Sequence, residues 1–548
     1  MSTNTGENTG ELFFNLLDEP WVLARNKLGD VEELSLIAVF QRAHELDCLE
    51  GELPTQDAAV LRLMLAILFA VFSRSDEKGR WSPLDTTDNA RTEALRRWRA
   101  LWDTDQLPIE LLTAYLESYR ERFWLVHPTW PFYQVVGLTK ATEYPAAKLI
   151  GDISESNNKP RQFPIRSGIG KERLEPNEAA RWLLHLIGYD DNSGKPSERS
   201  VGMPSVGVGW LGKLGLVYST GKSLKETLLL NLVLLDQNGV AFPERTAYWE
   251  LPAARTAERI ILQPPESPIE TLTVQSRRIE LSWQDNYVTG YKLIGGDAYE
   301  RENCFAEQMT LWYIPASKQA EVFMPKRHNA ERQMWRDFAS LLAQGQSRRP
   351  AGIINWLTFL RDGNKLNQNY VRLAITGAQY GDKDFFIDGI VDDSLELNAD
   401  ILSDIGSDWV VRIVDEVDNT DKCVWALGQL AGNIAKASGN DDKNSVFGIS
   451  ATARSLAFSE LDHPFRGWLN DLNPTDDNIE EQIAKYRELL RSNLFRLGEE
   501  LVAQSDLRAL LGREKTDGTS VMSAPQAFSL FKNTVFKILR SEEVEANE

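Results

Sequence analysis

Five histidines, His44, His127, His185, His328 and His463, and three cysteines, Cys48, Cys304 and Cys423, are the side chains of this 548-residue chain best suited to metal or nucleophilic chemistry. They are dispersed. Only His44 and Cys48 fall at the i, i+4 spacing of one helix face, and two ligands do not make a zinc site. HExxH, GxSxG and HxE…CxxC patterns do not occur. Adjacent carboxylates such as Asp392-Asp393 and Glu499-Glu500 diverge on a helix, so they read as solvated faces rather than as an acid–base couple.

The most unusual pattern is glycine. Gly202, Gly207, Gly209, Gly212, Gly215 and Gly221 recur among Ser205, Trp210, Lys213 and Tyr218. Glycine-dense backbone reaches positive φ and approaches a ligand closely, which suits a surface read with main-chain amides; turns and bulges in a small sheet give the same pattern. Gly221-Lys222-Ser223 looks like the end of a phosphate loop, but five residues rather than four separate Gly215 from Gly221. The strand, GxGxxG and helix order of a dinucleotide fold is also missing. The pattern implies no cofactor.

With 42% hydrophobic residues the chain can bury a large core and should divide into two or more domains. Its formal charge of -20 argues against sequence-independent coating of nucleic acid while leaving room for a local basic surface. Most of the acidic excess follows about Asp392. Basic residues gather at Lys159, Arg161, Arg166, Lys171 and Arg173, at Lys326-Arg327-His328, and at Arg348-Arg349. Widely spaced cysteines fit a reducing cytoplasm, and the polar stretch Met1 to Glu11 is no signal peptide. Leu61 to Phe72, interrupted by Arg62, is too short for a membrane span and reads as a buried helix started near Pro54-Thr55.

These elements must position whatever chemistry there is. Helices are expected at Ser35–Leu49, Gln56–Ser73, Arg91–Trp102, Ile109–Arg122, from Asn177, and at Ser223–Asp236. Leu272 to Lys292 alternates as strands, with Thr271 to Trp283 the clearest. Tyr370–Thr376 and Phe385–Val391 read as strands flanking a hairpin loop over Gly377–Asp384. From Leu395 onward Trp409–Ala437, Ser445–Leu469, Asp477–Ala503 and Pro525–Leu539 carry apolar stripes, the pattern of an antiparallel four-helix bundle. The expected fold is α+β: a large mixed domain over 1–393 followed by a C-terminal four-helix bundle over 394–548.

Phe14-Asn-Leu-Leu-Asp-Glu-Pro-Trp-Val22, Gly51-Glu-Leu-Pro-Thr-Gln-Asp57, Phe123-Trp-Leu-Val-His-Pro-Thr-Trp-Pro-Phe132, the glycine-rich stretch feeding Thr227-Leu-Leu-Leu-Asn-Leu232, and Leu272-Thr-Val-Gln-Ser-Arg-Arg278 follow one another in a fixed order. Together with the helical tail, this set resembles the CasA family, the large subunits of type I-E CRISPR Cascade complexes, across nearly the whole chain. The resemblance implies a protein without bond-breaking chemistry, without cofactor or metal. It implies contact with the 5′ handle of the guide RNA and with other Cascade subunits. It also implies recognition of the protospacer-adjacent motif in duplex DNA, help in opening the strands into an R-loop, and recruitment of a helicase-nuclease. Such a subunit need read only a few base pairs, because pairing with the guide reads the rest.

Carried onto this sequence, the resemblance assigns motif reading to Ser200, Val201, Gly202, Met203 and Lys292. Strand separation falls to Tyr380, Gly381, Asp382, Lys383 and Asp384, with Lys383 where some members have glutamine. Contact with the guide-RNA handle falls to Phe163, Pro164, Ile165 and Arg166, with Ile165 replacing an asparagine of one branch. The cysteine cluster of some members is absent. Lys485, Arg487 and Arg491 in the helical tail are candidates for phosphate contact. Two other functions stay open: a protein–protein scaffold without direct DNA contact, and an enzyme whose site the motifs do not reveal.

Overall fold

The computed structural model describes residues 13–85, 89–154, 163–193, 206–318, 321–343, 345–514 and 520–540. The architecture mixes helices and short antiparallel sheets, and the chain divides into two compact units. The first comprises Met1–Glu331, Gly345–Leu366 and Arg372–Ser394; the second comprises Arg332–Gln344, Asn367–Val371 and Leu395–Glu548.

The first unit is built around the apolar helix Pro54–Phe72, which Pro54 opens at its first position, where a missing N–H costs nothing. By length and apolarity the helix could cross a membrane, correcting the shorter span read from sequence, but 94% of its apolar window is buried inside the protein. Its one basic residue is satisfied there. Arg62 donates to both carboxylate oxygens of buried Glu307, at 2.7 and 2.8 Å, and to the Thr271 carbonyl at 2.9 Å. A buried ion pair this fully hydrogen-bonded avoids the penalty of an isolated interior charge.

Two three-stranded sheets carry the residues of interest. In one, Tyr287–Gly295 lies between Thr142–Pro145 and Arg277–Gln284 and is antiparallel to both. In the other, Tyr370–Tyr380 lies between Ile387–Asn398 and Leu216–Thr220. The strand expected from Thr271 begins at Arg277, because Ser267 and Pro268 start a short helix over Pro268–Leu272. The helix expected over Ser35–Leu49 ends at Arg42, and Leu46–Leu49 is a strand. His44 and Cys48 therefore do not share a helix face.

In the second unit four long helices, Ser407–Ala437, Lys443–Asp471, Ile479–Ala503 and Ala524–Arg540, pack on one another. Ile483, Tyr486, Leu490, Leu494 and Leu497 form the buried stripe of the third, at three- and four-residue spacing. Trp335 stacks on Phe465, ring centroids 4.3 Å apart, and Trp468 on Tyr486 at 4.5 Å. The Tyr486 and Thr420 hydroxyls are hydrogen-bonded at 2.7 Å.

Candidate nucleic-acid interface

The hairpin formed by Tyr370–Tyr380 and Ile387–Asn398 keeps its first strand through Tyr380, so the turn is Gly381–Phe386 and not the longer loop expected from Gly377. Tyr380 is an anchor rather than part of an exposed tip. Its hydroxyl donates to the Tyr189 carbonyl at 2.7 Å, and burial pushes its pKa well above the ordinary phenol value. Gly212 makes room for it, since a Cβ there would collide with that hydroxyl.

Beyond Tyr380 the turn is strained and held. Lys383 and Asp384 take left-handed φ values of 51° and 62°, each costing about 1 kcal/mol or more for a residue with a Cβ. Asn192 fixes both: its backbone N–H donates to the Asp384 carbonyl at 2.8 Å and its side chain to the Lys383 carbonyl at 3.1 Å. Arg327 holds the Asp384 carboxylate. Asp382 and Lys383 project outward, and neither has an ion-pair partner among the described residues. Phe385 and Phe386 are exposed beside them.

Ser200, Val201, Gly202 and Met203 lie outside the described residues, but the chain on either side of their segment is clamped by one side chain. The Arg277 guanidinium, fully buried, pairs with Asp190 and donates to the Asp191 carbonyl at 3.2 Å and to the Gly207 carbonyl at 2.8 Å. Lys148 pairs with Asp191 at 2.7 Å. Asn192 follows directly, so the root of that segment and the hairpin turn are tied together.

The glycine-rich stretch from Gly207 onward is core. Val206, Val208, Trp210, Leu211 and Leu214 are buried, and the Trp210 indole donates to Glu307 at 3.0 Å. Gly209 is required because a Cβ there would collide with the Gly188 carbonyl. For these residues the sequence pattern reflects tight packing, not a ligand-reading backbone.

Lys292 is not brought to this root. Cross-strand register pairs Arg277 with Gly295 and Glu280 with Lys292, which puts Lys292 three residues along and on the other face of the sheet. It stands between Glu280 and Glu143 on the neighbouring strands, with its ammonium 3.4 Å from Glu280.

Phe163-Pro164-Ile165-Arg166 divides into two parts. Phe163 is 91% exposed and Ile165 78%. Arg166 turns inward, paired with Glu52 and, at 3.0 Å, with Glu178. Its charge is therefore committed within the fold. The cations singled out in the second unit are committed as well: Lys485 to Glu481, Arg491 to Glu488, and Arg487 to fully buried Glu416 at 2.7 Å. Arg487, half-buried, is thereby tied to an interior carboxylate instead of standing free for phosphate.

The family profile of CRISPR-associated protein Cse1 matches residues 15–497. The chain belongs to the Cse1 family. A CasA/Cse1 protein of Thermus thermophilus is 29% identical over 335 residues, a match spanning 60% of this chain and 60% of that relative. The crystal structure of Thermobifida fusca Cse1 shares the fold with a TM-score of 0.81 and 31% identity, covering 96% of this chain and 98% of that one. A chain of a CRISPR RNA-guided surveillance complex shares the fold at a TM-score of 0.67 and 18% identity, covering 96% and 99%.

In this Cse1-family chain, sequence reasoning missed the residues that hold the site. Arg277 belongs to the Gln-Ser-Arg-Arg run and Arg327 to a basic triplet, both visible but without a role. Asn192 carried no signal, because its partners Lys383 and Asp384 lie far along the sequence.

Proposed function

We propose that this chain is the non-catalytic large subunit of an RNA-guided type I-E Cascade complex in the cytoplasm. It reads the protospacer-adjacent motif of duplex DNA with the segment holding Ser200, Val201, Gly202 and Met203. It separates the strands with the Gly381–Phe386 turn, docks on the guide-RNA handle through Phe163 and Ile165, and presents the C-terminal helical bundle to a helicase-nuclease.

The observation that carries this reading is the turn itself. Two consecutive non-glycine residues in left-handed conformation persist only where surrounding contacts over-determine them, and such strain concentrates at working sites. Here it presents Lys383 and two aromatic rings at the end of a rigid hairpin. A wedge of that kind competes with base stacking, which is worth about 1.4 kcal/mol per step. Family membership supplies the setting. Exposed Trp425 and Phe447 on the first two bundle helices support a protein-binding surface there.

Binding of motif-containing duplex by the reconstituted complex, with and without this chain, tests the proposal. The complete complex should bind it in preference to motif-free duplex, and omission of the chain should abolish the preference. An unchanged preference would leave a scaffold role only.

A further inference from the structure

Lys213 ends the short turn Leu211–Lys213, just after buried Trp210, whose indole donates to Glu307. The residue is 8% exposed. Among the described residues its ammonium has no hydrogen-bond or ion-pair partner, and it lies over the Trp210 ring, 5.8 Å from nitrogen to centroid. The side chain runs toward the root of the motif-reading segment: a Cβ placed on Gly207 would stand 4.0 Å from its Cε.

The side chains that act on it most strongly are cations. Burial first, and then Arg277, Arg301, Arg259 and Arg327, together lower the Lys213 pKa to about 7. Asp190 neutralises Arg277 and Asp384 neutralises Arg327, whereas exposed Arg301 has no ion-pair partner among the described residues. A buried ammonium without a counter-charge is costly and tends to give up its proton unless an anion reaches it, and a lysine perturbed in this way is a candidate functional group.

We propose that Lys213 is a phosphate-binding residue, and that its ammonium, held beside Gly207 and Arg277, takes one backbone phosphate of the target DNA duplex. This rests on the DNA-reading role proposed above, because the position adjoins Gly207 at the segment root. A phosphate contact positions a duplex without reading it.

The test uses the reconstituted complex carrying wild-type chain or Lys213→Met, titrated with motif-containing and motif-free duplex over a range of salt. The variant should weaken both duplexes by the same factor, and the slope of log affinity against log salt should fall by about 0.9. The full-length variant chain should also melt at a higher temperature, because an uncompensated buried charge has been removed. An unchanged slope, or a lower melting temperature, would overturn the proposal. Loss of association with the guide-bearing complex at an unchanged DNA slope would place the phosphate on RNA and overturn it equally. A wild-type complex that binds duplex without motif preference would instead refute the motif-reading role and leave the slope test standing.

Discussion

Arg327 and Asp384 are joined by two parallel hydrogen bonds of 2.9 and 3.1 Å, and the same guanidinium lies over the Tyr380 ring at 5.3 Å. One side chain therefore grips both the last residue of the strand and the far side of the turn. Both partners are about one-third exposed, so the pair adds no more than about 1 kcal/mol to global stability. Its larger effect is local, on the conformation of Asp384. Arg327→Ala should leave the melting temperature nearly unchanged while reducing strand opening in the complex. A target already unpaired beside the motif should restore binding; failure of such a target to help would separate Arg327 from the wedge.

Lys383 gives the complementary test. Its φ of 51° suits glycine, so Lys383→Gly should relieve strain and raise chemical stability by up to about 1 kcal/mol. The same change removes the side chain that projects from the turn. Strand opening, followed by the fluorescence of a base analogue beside the motif, should slow even as the denaturation midpoint rises. A variant that is more stable and opens DNA as fast as wild type would show that the strain serves no wedge.

Much of this was legible in the sequence where a pattern is local. The helices of the second unit follow from apolar residues at three- and four-residue spacing, and the hairpin from two alternating runs around a polar tip. Glycine misled because it has two uses. Gly209 and Gly212 are needed for close packing against Gly188 and Tyr380, which only the folded chain brings near. Charge misled for a related reason: Arg166 and Arg487 look like free cations in sequence, yet their carboxylate partners Glu52 and Glu416 are distant in the chain. Long-range pairs leave no periodic trace.

The loop that opens with Phe163 now separates docking from stability. Phe163 is almost fully exposed, so Phe163→Ala should leave the fold intact and weaken association with the guide-bearing complex. Arg166→Ala breaks two partly buried ion pairs, with Glu52 and Glu178, and should destabilise the chain by about 1 to 3 kcal/mol. Melting temperatures paired with pull-down of the isolated variants by the remaining complex check both. Unaltered association of the Phe163 variant would remove the loop from the docking surface.

Asp57 links stability to pH through a group the DNA-reading site does not use. It borders an open cleft of about 740 Å³ that also holds Glu50 and Asp392. Burial above all, with Glu50 and Asp392 adding to it against the Gly51 N–H it accepts at 2.7 Å, raises its pKa to about 7. The folded state thus binds a proton that the unfolded chain, titrating near 3.9, has already lost. Its contribution is complete below the unfolded pKa and is lost as pH rises through about 7. His185 has the opposite sign: burial lowers its pKa to about 3, so its contribution is lost as pH falls below the unfolded value near 6.5. A wild-type profile mixes the two, and a variant isolates one. Asp57→Asn keeps an acceptor for Gly51 and stays neutral, so it should stabilise the chain by about 1 to 2 kcal/mol at pH near 8, a value reduced for the solvent in the cleft. The advantage should vanish near pH 4, read as the difference in urea midpoint between variant and wild type. An equal difference at both pH values would mean that the substitution acts through packing rather than through the proton.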